Sequence, residues 1–119
     1  MQFHADQIDR LSELQFRERL IQVLSAIDPS AERELHSPAG LSQLDALIAR
    51  ARGYGLLAEL DIGRFVVTAW LLGLDFDQRF PAMQEILTEP RLSPTQKADA
   101  IEQLCTTVLD RLHQGAIHE

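Results

Sequence analysis

The stretch "LLGLDFDQRFP" at residues 71–81 decides how this chain is read. Asp75 and Asp77 flank Phe76, and an Asp-x-Asp pair is a common way to hold a divalent cation. The same stretch also carries a helix stop at Gly73 and a helix start at Pro81. A divalent cation takes about six oxygen ligands, and the pair supplies two carboxylates. The loop lacks the glycine and the distal glutamate of a calcium-binding hand. The corner reading is more economical. Gly73 closes one helix, Asp75 caps the turn, Phe76 enters the core, Asp77 pairs with Arg79 or stays solvated, and Pro81 opens the next helix. No metal ligand is assigned.

Upstream of this corner the helix containing "DIGRFVVTAWLL" (61–72) is apolar nearly all round. Ile62, Phe65, Ala69 and Leu72 cover one face, Val66 and Trp70 a second, and Val67 and Leu71 a third. Such a helix is either buried on every side or leaves a face for a partner. Glu59 and Asp61 suit its first turn, where acidic charge complements the dipole. Before it, Leu41, Leu44, Leu47, Ile48, Ala51 and Tyr54 form a stripe that Gly55 ends in a left-handed cap. "HSPAG" (36–40) reads as a loop, preceded by a short helix over about 29–36 with Asp28 as its N-cap and Pro29 as its first residue. The first long helix starts from a capping box of Ser12 and Gln15. It buries Phe16, Leu20, Val23, Leu24 and Ile27, with Ile8 and Leu11 in a preceding turn.

Downstream of the corner, Met83, Ile86 and Leu87 share one side of a short helix that stops before Pro90. The last helix has Ser93 as N-cap, Pro94 as first residue and Gln96 closing a capping box. Ile101, Leu104, Cys105, Val108 and Leu112 form its buried face, and Gly115 ends it. No segment alternates with period two. The expectation is an all-α fold: a compact single-domain bundle of five to seven short and medium helices over residues 1–119.

The bulk numbers agree with one core. The chain has 119 residues, is 45% hydrophobic, and carries 18 acidic against 11 basic side chains, a formal charge of −7. That charge opposes non-specific binding to nucleic acid or an anionic membrane. The opening residues "MQFHADQIDR" lack the basic and apolar regions of a signal peptide, and the longest dense apolar run, 65–74, is too short to span a bilayer. The expected compartment is the cytoplasm.

Catalytic constellations are not evident. His4, His36, His113 and His118 form no i, i+4 pair, although His113 suits a helix C-terminus. Ser12, Ser37, Ser42 and Ser93 sit at expected helix starts and read as caps. The single Cys105 reads as a small core residue. Neither enzyme activity nor a cofactor is expected. A helix-turn-helix reading of Ala51-x3-Gly55 makes residues 61–72 the base reader, but that helix offers the groove a single cation, Arg64.

Residues 49–104 resemble a known family: small helical accessory proteins encoded beside effectors and adaptor chaperones of bacterial type VI secretion systems. The resemblance covers about half the chain and is carried by Ala51-x2-Tyr54-Gly55, Glu59-x-Asp61, Phe65 and Gly73-x-Asp75-Phe76-Asp77. Ile86-Leu87, Leu92-Ser93 and Lys97 continue it. One departure is Pro81-Ala82, where family members often carry Pro-Trp. The resemblance implies a non-enzymatic co-chaperone. Its partners would be an effector-loading adaptor, the effector itself, or the VgrG/PAAR spike tip. The alternatives are an acidic immunity protein that plugs a basic toxin cleft and the helix-turn-helix regulator. Leu14, Ile21 and Trp70 are the candidates for exposed apolar contact with a partner, and interior packing is the competing reading of Trp70.

Overall fold

The computed structural model describes the backbone of residues 5–117 and the side chains of residues 13–114. Among the described residues there are seven helices and no strand, so the chain is all-α. The helices are α1 (Ala5–Ile27), α2 (Ala31–His36), α3 (Pro38–Gly53), α4 (Glu59–Leu72), α5 (Phe76–Arg79), α6 (Pro81–Thr88) and α7 (Pro94–Ile117). They fall into two compact units divided between Ala46 and Leu47.

In the N-terminal unit, α1 packs against α2. The buried set on α1 is Phe16, Leu20, Ile21 and Leu24. Ile21 is therefore a core residue and not a partner contact. Val23 and Ile27, expected inside, are about half exposed. The buried arc runs from Phe16 through Leu20 and Leu24 to Ile21, which leaves Val23 at its edge; Ile27 is in register with the arc but is the last residue of α1. The backbone of α1 is helical from Ala5, so Ser12 lies inside the helix and not at its start. The side chains of Ile8, Leu11 and Ser12 and the whole of His4 and His118 lie outside the described residues.

Asp28 caps a turn and not a helix. Its carboxylate accepts from the Ser30 amide at 3.1 Å and the Ser30 hydroxyl at 2.8 Å, and α2 begins at Ala31. "HSPAG" is not a loop either. Ser37 accepts from the Gly40 amide at 3.1 Å, so Ser37 is the N-cap and Pro38 the first residue of α3. Ser42 is consequently inside α3. The two helices follow so closely because residue 40 has no side chain. A Cβ on Gly40 would lie 1.9 Å from the Glu34 carbonyl oxygen and 2.9 Å from the Leu35 Cα.

In the C-terminal unit, α3 ends as expected. The Leu56 amide reaches the Ala51 carbonyl at 3.1 Å and the Gly55 amide reaches Arg52 at 2.9 Å, the paired bonds of a Schellman motif. Leu56 and Ala51 are both fully buried, which supplies the apolar contact of that motif. Gly55 has φ +94° and Gly73 φ +122°, so both stops are glycines in a region that L side chains rarely adopt. α4 packs on α7 and α5, and α6 packs on α5 and α7. Phe65, Phe76, Met83, Leu87 and Ile101 fill the space between them. At the start of α7, Ser93 and Gln96 exchange bonds of 2.9 and 3.1 Å, the expected capping box. α7 runs through Gly115 to Ile117, so that glycine does not end it, and His113 stands before its last turn. Leu112 is 64% exposed and is not part of the buried face. Ala82, where the family pattern has tryptophan, is on the surface.

Gly40→Ala should lower stability by about 1–3 kcal/mol, because backbone atoms must move to admit the new methyl. Gly53→Ala meets open space and should be neutral or stabilising by up to about 1 kcal/mol. Urea unfolding followed by helical circular dichroism separates the two.

Candidate functional site

Five of the residues that carry the resemblance, Tyr54, Phe65, Phe76, Asp77 and Lys97, meet at one node of the C-terminal unit. Tyr54 sits just past α3, Phe65 on α4 and Phe76 on α5. Their rings lie 5.9 Å apart (Tyr54 to Phe65) and 5.0 Å apart (Phe65 to Phe76), tilted by 44° and 58°. These are favourable edge-inclined geometries. Asp77 lies beside this stack and is fully buried. Its carboxylate accepts from Arg50 Nη1 at 3.0 Å and from the Tyr54 hydroxyl at 2.7 Å. The Gln84 side-chain amide lies 3.2 Å from the same phenol. Arg50 also donates to the Leu74 carbonyl at 2.9 Å, so one guanidinium spans the corner. Lys97 donates to the Tyr54 carbonyl at 2.9 Å and holds the end of α3 against the start of α7. Burial, reinforced by the Asp77 hydrogen bond, pushes the Tyr54 phenol up to about 12. It therefore stays a proton donor at any ordinary pH.

The Asp-x-Asp pair does not converge. Asp75 is 62% exposed and its side chain makes no cap bond; Arg79 lies 3.9 Å from it. Asp77 is buried and paired with Arg50, not with Arg79 and not with solvent. The expectation for both aspartates is corrected by the same fact. Residues two apart at a helix start point in different directions, and Phe76 fixes which one turns inward. Arg79 instead donates to the Leu72 carbonyl at the end of α4. Among the described residues no group of three His, Cys, Asp or Glu side chains is placed to hold a metal ion.

A second polar cluster sits between α4 and α7. Arg64 reaches Asp99 and Glu102, each at 2.7 Å, and lies 3.8 Å from Asp61. Asp61 is almost fully buried and accepts from the Thr95 hydroxyl at 3.0 Å. The cation expected of a base-reading helix is thus occupied by carboxylates. Cys105 is buried, and burial pushes its thiol up, against the lowering effect of a hydrogen bond with Thr68. Glu59 stands in the first turn of α4 as expected.

The apolar side chains left outside were only partly anticipated. Leu14 is 47% exposed and Trp70 is half-buried. Among the described residues, Leu57 and Leu60 are the most open large apolar side chains, at 74% and 73%. Leu112 follows at 64%, and Leu71 and Leu74 are about 40% exposed. The third face of the apolar helix, marked by Val67 and Leu71, signalled part of this; Leu60 is in register with that face but stands before the stretch 61–72, and Leu57 precedes the helix.

In the N-terminal unit His36 joins α2 to α1. Its Nδ1 lies 2.6 Å from the Glu32 carbonyl and its Nε2 3.2 Å from the Glu18 carboxylate. Both partners are acceptors, which suits the doubly protonated ring. The backbone bond to Glu32 and then the bond to Glu18 raise its pKa from the ordinary 6.5.

No family model matches the chain, and neither a curated protein nor a solved structure matches it.

Asp77→Ala should cost about 3 kcal/mol or more, because it strips a buried carboxylate from Arg50 and Tyr54. Asp75→Ala should stay within about 0.5 kcal/mol, as an exposed substitution. Chemical denaturation of the two variants checks this. For His36 the folded pKa is raised, so its contribution to stability is complete below the unfolded value and is lost as pH rises through the folded value. An NMR titration should place His36 above 6.5, and Glu18→Gln should bring it down.

Proposed function

We propose that this chain is a non-enzymatic accessory protein, a co-chaperone that binds an effector-loading adaptor, its effector, or both, for type VI secretion in the bacterial cytoplasm. The observation that supports a binding role most directly is the pair Leu57 and Leu60. Both stand about three-quarters exposed beside a well-filled core. Exposed apolar groups of this size gathered at one place mark contact surfaces more often than single scattered residues do. The polar residues of the family pattern are meanwhile committed to packing. Asp77, Tyr54, Lys97 and Asp61 each hold one helix to another, which suits a rigid scaffold that presents a surface.

The test is co-expression with the neighbouring adaptor and effector, followed by size-exclusion chromatography. Co-elution with the adaptor or effector is expected, and deletion of the gene should reduce delivery of the toxin. Elution as separate species would overturn the proposal. Unimpaired delivery combined with new vulnerability to sister cells would favour the immunity reading.

A further inference from the structure

The exposed apolar groups of the C-terminal unit have an order. Leu60, Val67 and Leu71 stand at i, i+7 and i+11 on α4, which places them along one side of the helix. Leu57 stands two residues before the helix and Leu74 two residues after it. Leu57 and Leu60 are about three-quarters exposed, Leu71 and Leu74 about 40%, and Val67 is half-buried. The opposite side of α4, with Ile62, Phe65 and Ala69, is closed in the core. A line at heptad-like spacing is the surface that a second helix covers.

Its flank is charged. Arg64 stands between Leu60 and Val67 on the same side of α4, and its guanidinium reaches across to α7. It gathers Asp61, Asp99 and Glu102, three carboxylates around one guanidinium, so the cluster holds two excess negative charges. Asp99 and Glu102 are about half exposed and present that excess to an approaching partner. The whole chain, at −7, has the same sign. A second copy would bring the same acidic edge to the contact. A helix of 14 residues is about 20 Å long, so the line alone offers much less than the roughly 800 Å² per partner of a stable interface.

We propose that this side of α4 docks an amphipathic helix of a partner protein, whose apolar stripe is flanked by lysine or arginine that meets the acidic edge around Arg64. The assignment rests on the binding role proposed above and adds the chemistry of the partner.

The test uses the full chain and synthetic helical peptides of about 15 residues, the length of α4. One peptide has leucines at i, i+3, i+4 and i+7 with lysine flanks. A second has the same leucines with glutamate flanks, and a third keeps the lysines but scatters the leucines. Trp70, the one tryptophan, lies on α4 and reports through its emission, with anisotropy of labelled peptide as a second readout. The lysine-flanked peptide should bind in the micromolar range, and the other two at least tenfold more weakly. Leu60→Gln with Leu71→Gln should weaken it about tenfold, and Glu102→Gln severalfold with a smaller salt dependence. Val23→Gln on α1, an apolar position about half exposed, should leave binding unchanged, and circular dichroism verifies that each variant is folded.

Equal binding of the glutamate-flanked peptide, or no effect of the double leucine change, overturns the proposal. So does a dimer of the free chain that the double change converts to monomer. If the adaptor or effector co-elutes with the double variant as with the parent, this surface is wrong and the accessory role stands. If the peptide binds as expected while no adaptor or effector co-elutes, the accessory role fails and the surface stands.

Discussion

The buried carboxylate of Asp77 is the constraint around which the C-terminal unit is arranged. Removing a carboxylate from water costs several kcal/mol unless its charge is matched and its oxygens are bonded. Arg50 and Tyr54 meet both demands at 3.0 and 2.7 Å. They stand four residues apart on one side of the end of α3, so a single carboxylate engages both only when that end faces the start of α5. The requirement fixes the corner at Gly73, because the chain must reverse between α4 and α5 to bring Asp77 there. Apolar burial supplies more free energy, at about 1.5–3 kcal/mol for each closed Phe, Leu or Ile. It is tolerant of small displacements, however, whereas the bonds to Asp77 are directional and choose one arrangement.

The aromatic stack and the carboxylate depend on each other. Phe76 and Asp77 are adjacent, and both are fully buried. The phenol that bonds Asp77 is also the first ring of the series Tyr54, Phe65 and Phe76. Lys97 ties the backbone of that tyrosine to α7. Residues from the end of α3, the middle of α4 and the starts of α5 and α7 thus share one small volume, and Gly55 and Gly73 supply the reversals that bring them together. A fixed order of small, aromatic and acidic residues through this region therefore has a packing explanation that needs no chemistry of catalysis.

What was legible in the sequence was local. The stops at Gly55 and Gly73, the box of Ser93 and Gln96 and the start at Pro81 depend on a few consecutive residues, and all four stand where they were read. Ser37-Pro38 has the same chemistry as Ser93-Pro94 but reads as a loop from the sequence. The third residue of α3 is Gly40, which the nearby Glu34 carbonyl requires, and a glycine there removes the Gln or Glu that completes a capping box. The partner of Asp77 was illegible for a different reason. Arg79 is near in sequence and Arg50 is 27 residues away, and only the packing of Phe76 turns the carboxylate toward the distant one. The i, i+4 pair of Arg50 and Tyr54 was the available signal. Ile21 was misplaced because α1 carries apolar residues on several sides, and periodicity alone does not rank them.

The two polar clusters of the C-terminal unit do opposite things with charge. Around Asp77 one carboxylate meets one guanidinium, the carboxylate is closed in, and the charges match one to one. Around Arg64 one guanidinium meets three carboxylates, and two of the three are half open to water. The first arrangement specifies internal geometry. The second leaves a residual negative edge along an apolar line, and such an edge repels other acidic chains while it favours basic ones. Exposed leucines by themselves attract any apolar surface, including another copy of the chain. A bordering charge of fixed sign converts that general adhesion into discrimination, because a wrong partner must place like charges together in a partly desolvated contact. On the docking side proposed for α4, the acidity of this chain thus works as selectivity.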